Sequence, residues 1–319
     1  MNVLITGANG FVGKALSRRL LDSGLGRRRV ETLTLLDIHF DAAPIDARVR
    51  RCEGSIADAG LLERAFAQAT DVIFHLASIP GGRAEQQFEL GLEVNLGATI
   101  ALLERARLQR VAPVFVFSST IAVYGAPLPD SIDDATPMRP HLSYGAHKLA
   151  GEILVRDHSR RGFVDGRIVR LPGIVARPQG PSGLLSAFMS DIFWRLSAGE
   201  RFICPVSPQA VAWWMSLGCC IDNLLTAATL APALAAARRD YTLPVLRLTV
   251  AQLVEGLARV YGDDRRDLVS YEPDERLEAG FGRQPPLDAS AAQRVGFRHD
   301  GSLEQLIHNA TAQAAGRLE

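Results

Sequence analysis

The first thirteen residues, MNVLITGANGFVG, limit the fold more than any other stretch of the chain. Val3, Leu4 and Ile5 form a short, partly β-branched apolar run. It breaks at Gly7, Gly10 and Gly13, and a helical pattern follows through Lys14–Leu21. Strand, tight glycine turn and helix, in that order, aim backbone N–H groups and the positive end of a helix dipole at one spot, which suits a diphosphate. A Cβ in such a turn blocks either the turn or the approach of the ligand. The expectation is a dinucleotide site. A second apolar run, Glu31–Asp37, ends in a carboxylate. Its spacing from the glycines, roughly 20 residues, is that of an acid accepting hydrogen bonds from an adenosine ribose. A carboxylate there repels a 2′-phosphate and no arginine follows it directly, so NAD is favoured over NADP.

Strand and helix patterns go on alternating. Val49–Gly54 reads as a short third strand and Leu61–Ala67 as a helix. Asp71–Ala77 is a fourth strand, apolar almost throughout, as a strand buried on both faces should be. His75 within it reads as a core histidine. Ser78–Arg83 is a loop at the carboxyl end of that strand, where open α/β sheets place their ligands. A long helical pattern follows, with Val94, Leu96, Ile100, Leu102 and Leu103 on its apolar positions. Val114–Phe117 is a fifth strand and ends in the hydroxyls of Ser118, Ser119 and Thr120. After a loop containing Pro127, Pro129, Pro137 and Pro140, Ser143 can N-cap the helix Tyr144–Arg156. Asp165–Leu171 is a sixth strand. Past Pro172 the alternation fades. Helices are expected over Leu184–Leu196 and Leu217–Ala231, a strand over Leu246–Val250, and a helix from Val250 to Tyr261 capped by Thr249. The expected class is α/β: a doubly wound parallel sheet with a small C-terminal substrate-binding lobe. Residues 1–171 form the NAD-binding domain, segments around 204–240 return to it, and 172–319 form mainly the lobe.

Composition supports a packed domain rather than a disordered one. Of the 319 residues 47% are hydrophobic and 22% charged, enough for a sizeable core. Lys+Arg and Asp+Glu are both 35, so net charge gives no pull toward nucleic acid or an anionic membrane. The four cysteines, Cys52, Cys204, Cys219 and Cys220, form no C-x-x-C pair. They carry no zinc signature, no metal is expected, and reduced, mostly buried thiols are. No basic start with an apolar plug is visible and no apolar run nears the roughly 20 residues of a membrane helix, so a soluble cytoplasmic protein is expected.

Tyr144 and Lys148 share one face of their helix. A tyrosine is a poor base near neutrality, but a lysine cation beside it favours the phenolate. The lysine can also hold the nicotinamide ribose, and a hydroxyl at the end of a neighbouring strand can orient a substrate oxygen. Together these groups supply the proton transfer that accompanies hydride transfer between a carbinol and a nicotinamide.

Glycine loop, strand-end acid, strand-end hydroxyls and Y-x-x-x-K, in this order, resemble the extended short-chain dehydrogenases/reductases, the NAD-dependent epimerase/dehydratase family with its Rossmann fold. The matching stretches are TGANGFVG (6–13), LLD ending at Asp37, FHLAS (74–78), Asn95, FSSTIAVYG (117–125) and YGAHK (144–148). The resemblance implies Tyr144 as general acid/base, Lys148 as its partner and Thr120, three residues before Val123, as the catalytic hydroxyl, with Ser119 the second candidate. It implies NAD contacts at Gly7, Asn9, Gly10, Phe11, Val12, Gly13, Asp37, Ser55, Ile56, Leu76, Ala77, Ser78, Asn95, Ser118, Tyr144, Lys148, Leu171 and Pro172. Nucleotide-sugar enzymes of the family carry an Asn after the sixth strand and a later Arg-Asp-aromatic segment. Here those places read Arg170-Leu-Pro-Gly173 and Val211–Leu217, which argues against a nucleotide sugar. The segments 74–95, 122–134, 144–180 and 204–214 are similar to D-erythronate dehydrogenases, which oxidise the C2 hydroxyl of a small sugar acid with NAD. That resemblance implies a sugar-acid pocket with Ser78, Gly82, Arg83, Thr120, Tyr144 and Arg177 as candidate contacts, either arginine taking the carboxylate. It also implies a homodimer through the helices around 92–107 and 144–156. A nucleotide-sugar epimerase that retains NAD and a non-catalytic NAD-binding regulator are the alternatives.

Overall fold

The computed structural model describes residues 1–41, 46–180 and 184–312. The chain runs β1 (Asn2–Thr6), α1 (Phe11–Ser23), β2 (Thr32–Asp37), β3 (Val49–Glu53), α2 (Ala59–Ala65), β4 (Val72–His75), α3 (Gly81–Gln86) and α4 (Phe88–Leu92). A π-turn over Glu93–Gly97 leads into α5 (Ala98–Arg107), β5 (Val114–Thr120), α6 (Ser143–Arg160) and β6 (Asp165–Leu171). Then come β7 (Gly173–Val175), α7 (Phe188–Ser197), β8 (Phe202–Cys204), β9 (Val211–Ser216), α8 (Leu217–Thr229), α9 (Pro232–Ala237), β10 (Asp240–Thr242), β11 (Leu246–Thr249), α10 (Val250–Tyr261) and β12 (Val269–Tyr271). A last helix spans Leu303–Thr311.

Two compact units emerge. The first comprises Met1–Val123, Met138–Arg170 and Asn223–Thr242. Its seven-stranded sheet has the order β10-β6-β5-β4-β1-β2-β3. Pairing is parallel for β1 with β2 and β4, for β2 with β3, for β4 with β5 and for β6 with β10. The order reverses at β1, so the glycine turn sits at the switch point where such sheets bind ligands. β4 is buried at every position, as its almost wholly apolar sequence requires, and its one polar residue, His75, is buried with it. Helices α2, α5 and α6 contribute Leu61, Leu62, Leu102, Leu103 and Val155 to a core with Leu4, Ile73, Phe115 and Phe117. The short edge strand β10 has no periodic signature of its own; it exists because Asp240–Thr242 find the open edge of β6.

The second unit comprises Tyr124–Pro137, Leu171–Asp222 and Leu243–Glu319 as far as these are described. Its three-stranded sheet has the order β11-β9-β7, antiparallel and then parallel. Phe193, Trp214, Leu253, Leu257, Leu306 and Ile307 form its core. α10 buries Val250, Leu253, Val254 and Leu257, the spacing of one helical face. Thr249 accepts from Gln252 N–H while Gln252 returns to the Thr249 backbone, so the expected cap is a full capping box.

Three local expectations need correction. Gly81–Arg83 is not loop but the first turn of α3, held helical by Ala84, which is fully buried. Ser143 is not the cap of α6: Leu142 holds that place, and the Ser143 N–H donates to the Glu85 carboxylate from α3. Ile100 is 44% exposed rather than packed beside Leu102 and Leu103. Among the described residues, no helix is long and apolar enough to cross a membrane, and all four cysteines are buried free thiols.

Candidate active site

The glycine turn closes by donating Gly7 N–H to Leu36 O at 2.9 Å. Gly7 has φ +70°, and a Cβ there would lie 2.7 Å from Ala77 N. A Cβ on Gly13 would lie 2.2 Å from Gly7 O, an overlap that only glycine avoids. Gly10 precedes α1 without any side-chain cap, and Phe11 and Val12 open its first turn, half-buried. The Asp37 carboxylate accepts from Asn9 N–H at 2.8 Å and Ile38 N–H at 2.7 Å. A carboxylate has about four acceptor positions, so Asp37 holds the turn and still has capacity for ribose hydroxyls. The bare turn, the uncapped helix N-terminus and the acid at the switch point fit a dinucleotide. Of the next two expected contacts, Ser55 Oγ accepts from Ala57 N–H, and Ile56 turns its side chain into the core.

The floor between β1 and β4 is a polar chain through a buried histidine. His75 Nδ1 meets Thr6 Oγ1 at 2.7 Å and Nε2 meets Thr99 Oγ1 at 2.8 Å. Thr99 donates its own proton to Asn95 O, so it accepts from His75 Nε2–H, and Nδ1 accepts from Thr6. The ring is therefore neutral, and burial, with Lys148 nearby, pushes its pKa down to about 3. Leu76 and Ala77 N–H both donate to Thr6 Oγ1. Asn95, expected at the cofactor site, lies just beyond the carboxyl end of β4. It is buried, accepts from Ile79 N–H at 2.7 Å and donates to Ile79 O at 3.0 Å. Its amide shapes the chain just beyond Ser78 at the carboxyl end of β4.

The strand end of β5 and the start of α6 bring the chemical groups together. Lys148 is 1% exposed and donates from Nζ to Ser118 O at 2.8 Å. Nζ lies 4.9 Å from the Phe117 ring centre and 5.9 Å from that of Tyr144. Burial pushes its pKa down to about 7. Residues alternate sides along a strand. Ser118 donates to His75 O at 2.8 Å, and Thr120 Oγ1 accepts from Ala122 N–H at 3.1 Å, which leaves the Thr120 proton to donate. Ser119 faces the other way and donates to the buried Glu152 carboxylate at 2.5 Å. The geometry thus separates the two hydroxyl candidates: Thr120 keeps its proton, and Ser119 is committed to Glu152.

Around Tyr144, Gly81 comes close enough that a Cβ there would be 3.8 Å from Tyr144 Cβ. Gly82 and Arg83 follow in the same turn, with Arg83 Nε donating to Gln87 at 3.1 Å from an exposed position. Leu171, Pro172 and Arg177 belong to the second unit. Pro172 is buried and Leu171 half-buried. Arg177 is half-buried: its N–H donates to Ser190 Oγ at 3.0 Å, and its carbonyl accepts from Trp194 Nε1. Sequence reading missed Glu152, Arg170 and Glu85. Glu152 could have been found, because it falls one turn after Lys148 on a buried face. Among the described residues, no group of three or more His, Cys, Asp or Glu side chains could hold a metal.

The sequence pattern of the NAD dependent epimerase/dehydratase family matches residues 3–207. The chain is 40% identical to D-erythronate dehydrogenase of Cupriavidus necator over 313 residues, 96% of this chain and 97% of that protein. Its counterpart in Haemophilus influenzae is 35% identical over 309 residues, 96% and 98% of the two chains. Among solved structures, one described as a nucleoside-diphosphate-sugar epimerase from Agrobacterium tumefaciens superposes with a TM-score of 0.92 at 34% identity, covering 99% of this chain and 95% of that one.

Proposed function

The chain belongs to the NAD dependent epimerase/dehydratase family and is an NAD-dependent oxidoreductase, and from that premise we propose that it oxidises the C2 hydroxyl of a small, D-erythronate-like sugar acid to the 2-oxo acid. The observation that carries this reading is the near full-length similarity to two D-erythronate dehydrogenases. The grouping of Tyr144, Lys148 and the Thr120 strand end supports it. Bound NAD supplies the hydride acceptor. Tyr144 as phenolate takes the proton of the substrate hydroxyl, Lys148 as cation favours that phenolate, and Thr120 donates to the substrate oxygen and orients it. Gly7, Gly10, Gly13 and Asp37 hold the cofactor, and Arg83 or Arg177 takes the substrate carboxylate. The exposed apolar side chains Phe88, Leu92, Ile100 and Ile153 on α4, α5 and α6 support a homodimer through these helices, which light scattering tests.

An NAD-reduction screen across C4–C6 aldonic and uronic acids tests the activity. Tyr144→Phe should lower turnover on the best acid by about 10²–10⁴-fold; near-normal turnover would remove the mechanism. The description of the Agrobacterium tumefaciens neighbour favours a second reading, a nucleotide-sugar epimerase. That reading gains if a nucleotide sugar is interconverted without net NADH while no acid is oxidised.

A further inference from the structure

A closed ionic cluster lies directly behind the catalytic strand end. Glu152 is 0% exposed and its carboxylate is fully engaged. Arg170 binds it through both fork positions, Nε to Oε1 at 2.9 Å and Nη2 to Oε2 at 2.7 Å. The same Nη2 donates to Asp240 at 2.8 Å, and Arg156 lies 3.3 Å from the other Asp240 oxygen. Two carboxylates and two guanidiniums balance, which is what allows charge to persist at such depth. Glu152 also lies 3.8 Å from Arg156 and accepts from the Ser119 hydroxyl.

The placement of that hydroxyl gives the cluster a role. Successive turns of α6 grip successive residues of β5: Lys148 holds the Ser118 carbonyl, and Glu152, four residues on, holds the Ser119 side chain. Thr120 is the next residue. We propose that Ser119 and Glu152 are positioning residues. Anchored by Arg170 and Asp240, they lock β5 against α6 and so fix Thr120 in register with Tyr144 and Lys148. Neither touches the substrate. The charged groups around the pair are Arg170 on β6, Asp240 on β10 and Arg156 on α6, with Lys148 one turn back on the Ser118 carbonyl.

The inference rests on the dehydrogenase reading for its turnover readout, so a second readout needs no substrate. Near-ultraviolet difference absorbance against Tyr144→Phe follows ionisation of the Tyr144 phenol in the NAD-bound enzyme. In Ser119→Ala, the loosened strand end should let Lys148 move from Tyr144, raising the titration midpoint by about one pH unit. Turnover should fall about 10–100-fold with the KM for NAD unchanged, the cost of a misplacement of about 1 Å. Ser119→Thr, which keeps the hydroxyl, should restore both. Glu152→Gln in the same assays carries the test if Ser119→Ala does not fold. An unchanged titration with unchanged turnover overturns the proposal, whatever happens to the melting temperature. So does a turnover loss as large as that of Tyr144→Phe with the titration unmoved, because Ser119 would then itself serve the substrate. If no acid is oxidised, the activity reading fails and the titration still decides the positioning role.

Discussion

The glycine turn of the first unit and the three-stranded sheet of the second are both small assemblies of short elements, yet they are specified differently. The turn is written within residues 3–13 and needs only the adjoining ends of β2 and β4. The sheet gathers residues 173–175, 211–216 and 246–249, and its central strand is fastened by a residue further on still. Ser216 donates its N–H to Asp300 at 2.9 Å and its hydroxyl to the other Asp300 oxygen, which also accepts from Asn309 at 3.0 Å. A local assembly is fixed by sterics, so one atom can abolish it. A non-local one is fixed by pairwise contacts, so its parts loosen singly.

The sharpest way to break this contrast is Gly13→Ala. The added Cβ meets a backbone oxygen that no rotamer change can move. A loss of about 3 kcal/mol in denaturant unfolding, together with loss of NAD binding by calorimetric titration, is expected; retained affinity would show that the turn tolerates rearrangement. Asp300→Ala should cost about 2 kcal/mol, since it leaves the buried Ser216 N–H without its acceptor. Hydrogen exchange should speed up in 211–216 and 303–311 and remain slow in β1. Uniform acceleration across both units would erase the distinction.

His75 supplies a pH test of the first unit. Its pKa is about 3 in the folded protein against about 6.5 unfolded, so the unfolded state binds the extra proton between those values. Stability is full above about pH 6.5 and falls by roughly 1.4 kcal/mol per pH unit as the pH drops toward 3. His75→Asn should flatten that slope in unfolding curves collected across the window. The smallest effect is expected at Thr249→Ala, which removes the capping box of α10 and costs about 1 kcal/mol in thermal unfolding of the full chain.

Much of the first unit was readable because its signals are periodic or stereochemical. The apolar run of β4, the glycines of the turn and the shared face of Tyr144 and Lys148 each follow from spacing alone. Asp37 was readable for its distance from the turn, though not for its bonds to Asn9 and Ile38. Other features carried no local signal. Gly81 and Gly82 are poor helix formers, and only burial of Ala84 makes them a helical turn. The acceptor for the Ser143 N–H at the start of α6 comes from Glu85, 58 residues upstream. β10 is a strand only because β6 offers an edge.

The sequence by itself determined the parallel alternation, the glycine turn and the shared helix face of Tyr144 and Lys148, because these depend on periodicity and on where a Cβ is sterically forbidden. Tertiary structure alone decided which hydroxyl is available. Adjacent residues of a strand face opposite ways, and it is the buried Glu152, paired with Arg170 from another strand, that engages Ser119 and leaves the Thr120 proton to donate. It likewise decided that Asn95 shapes the chain at Ile79, since a buried amide must bond whatever backbone the fold places beside it.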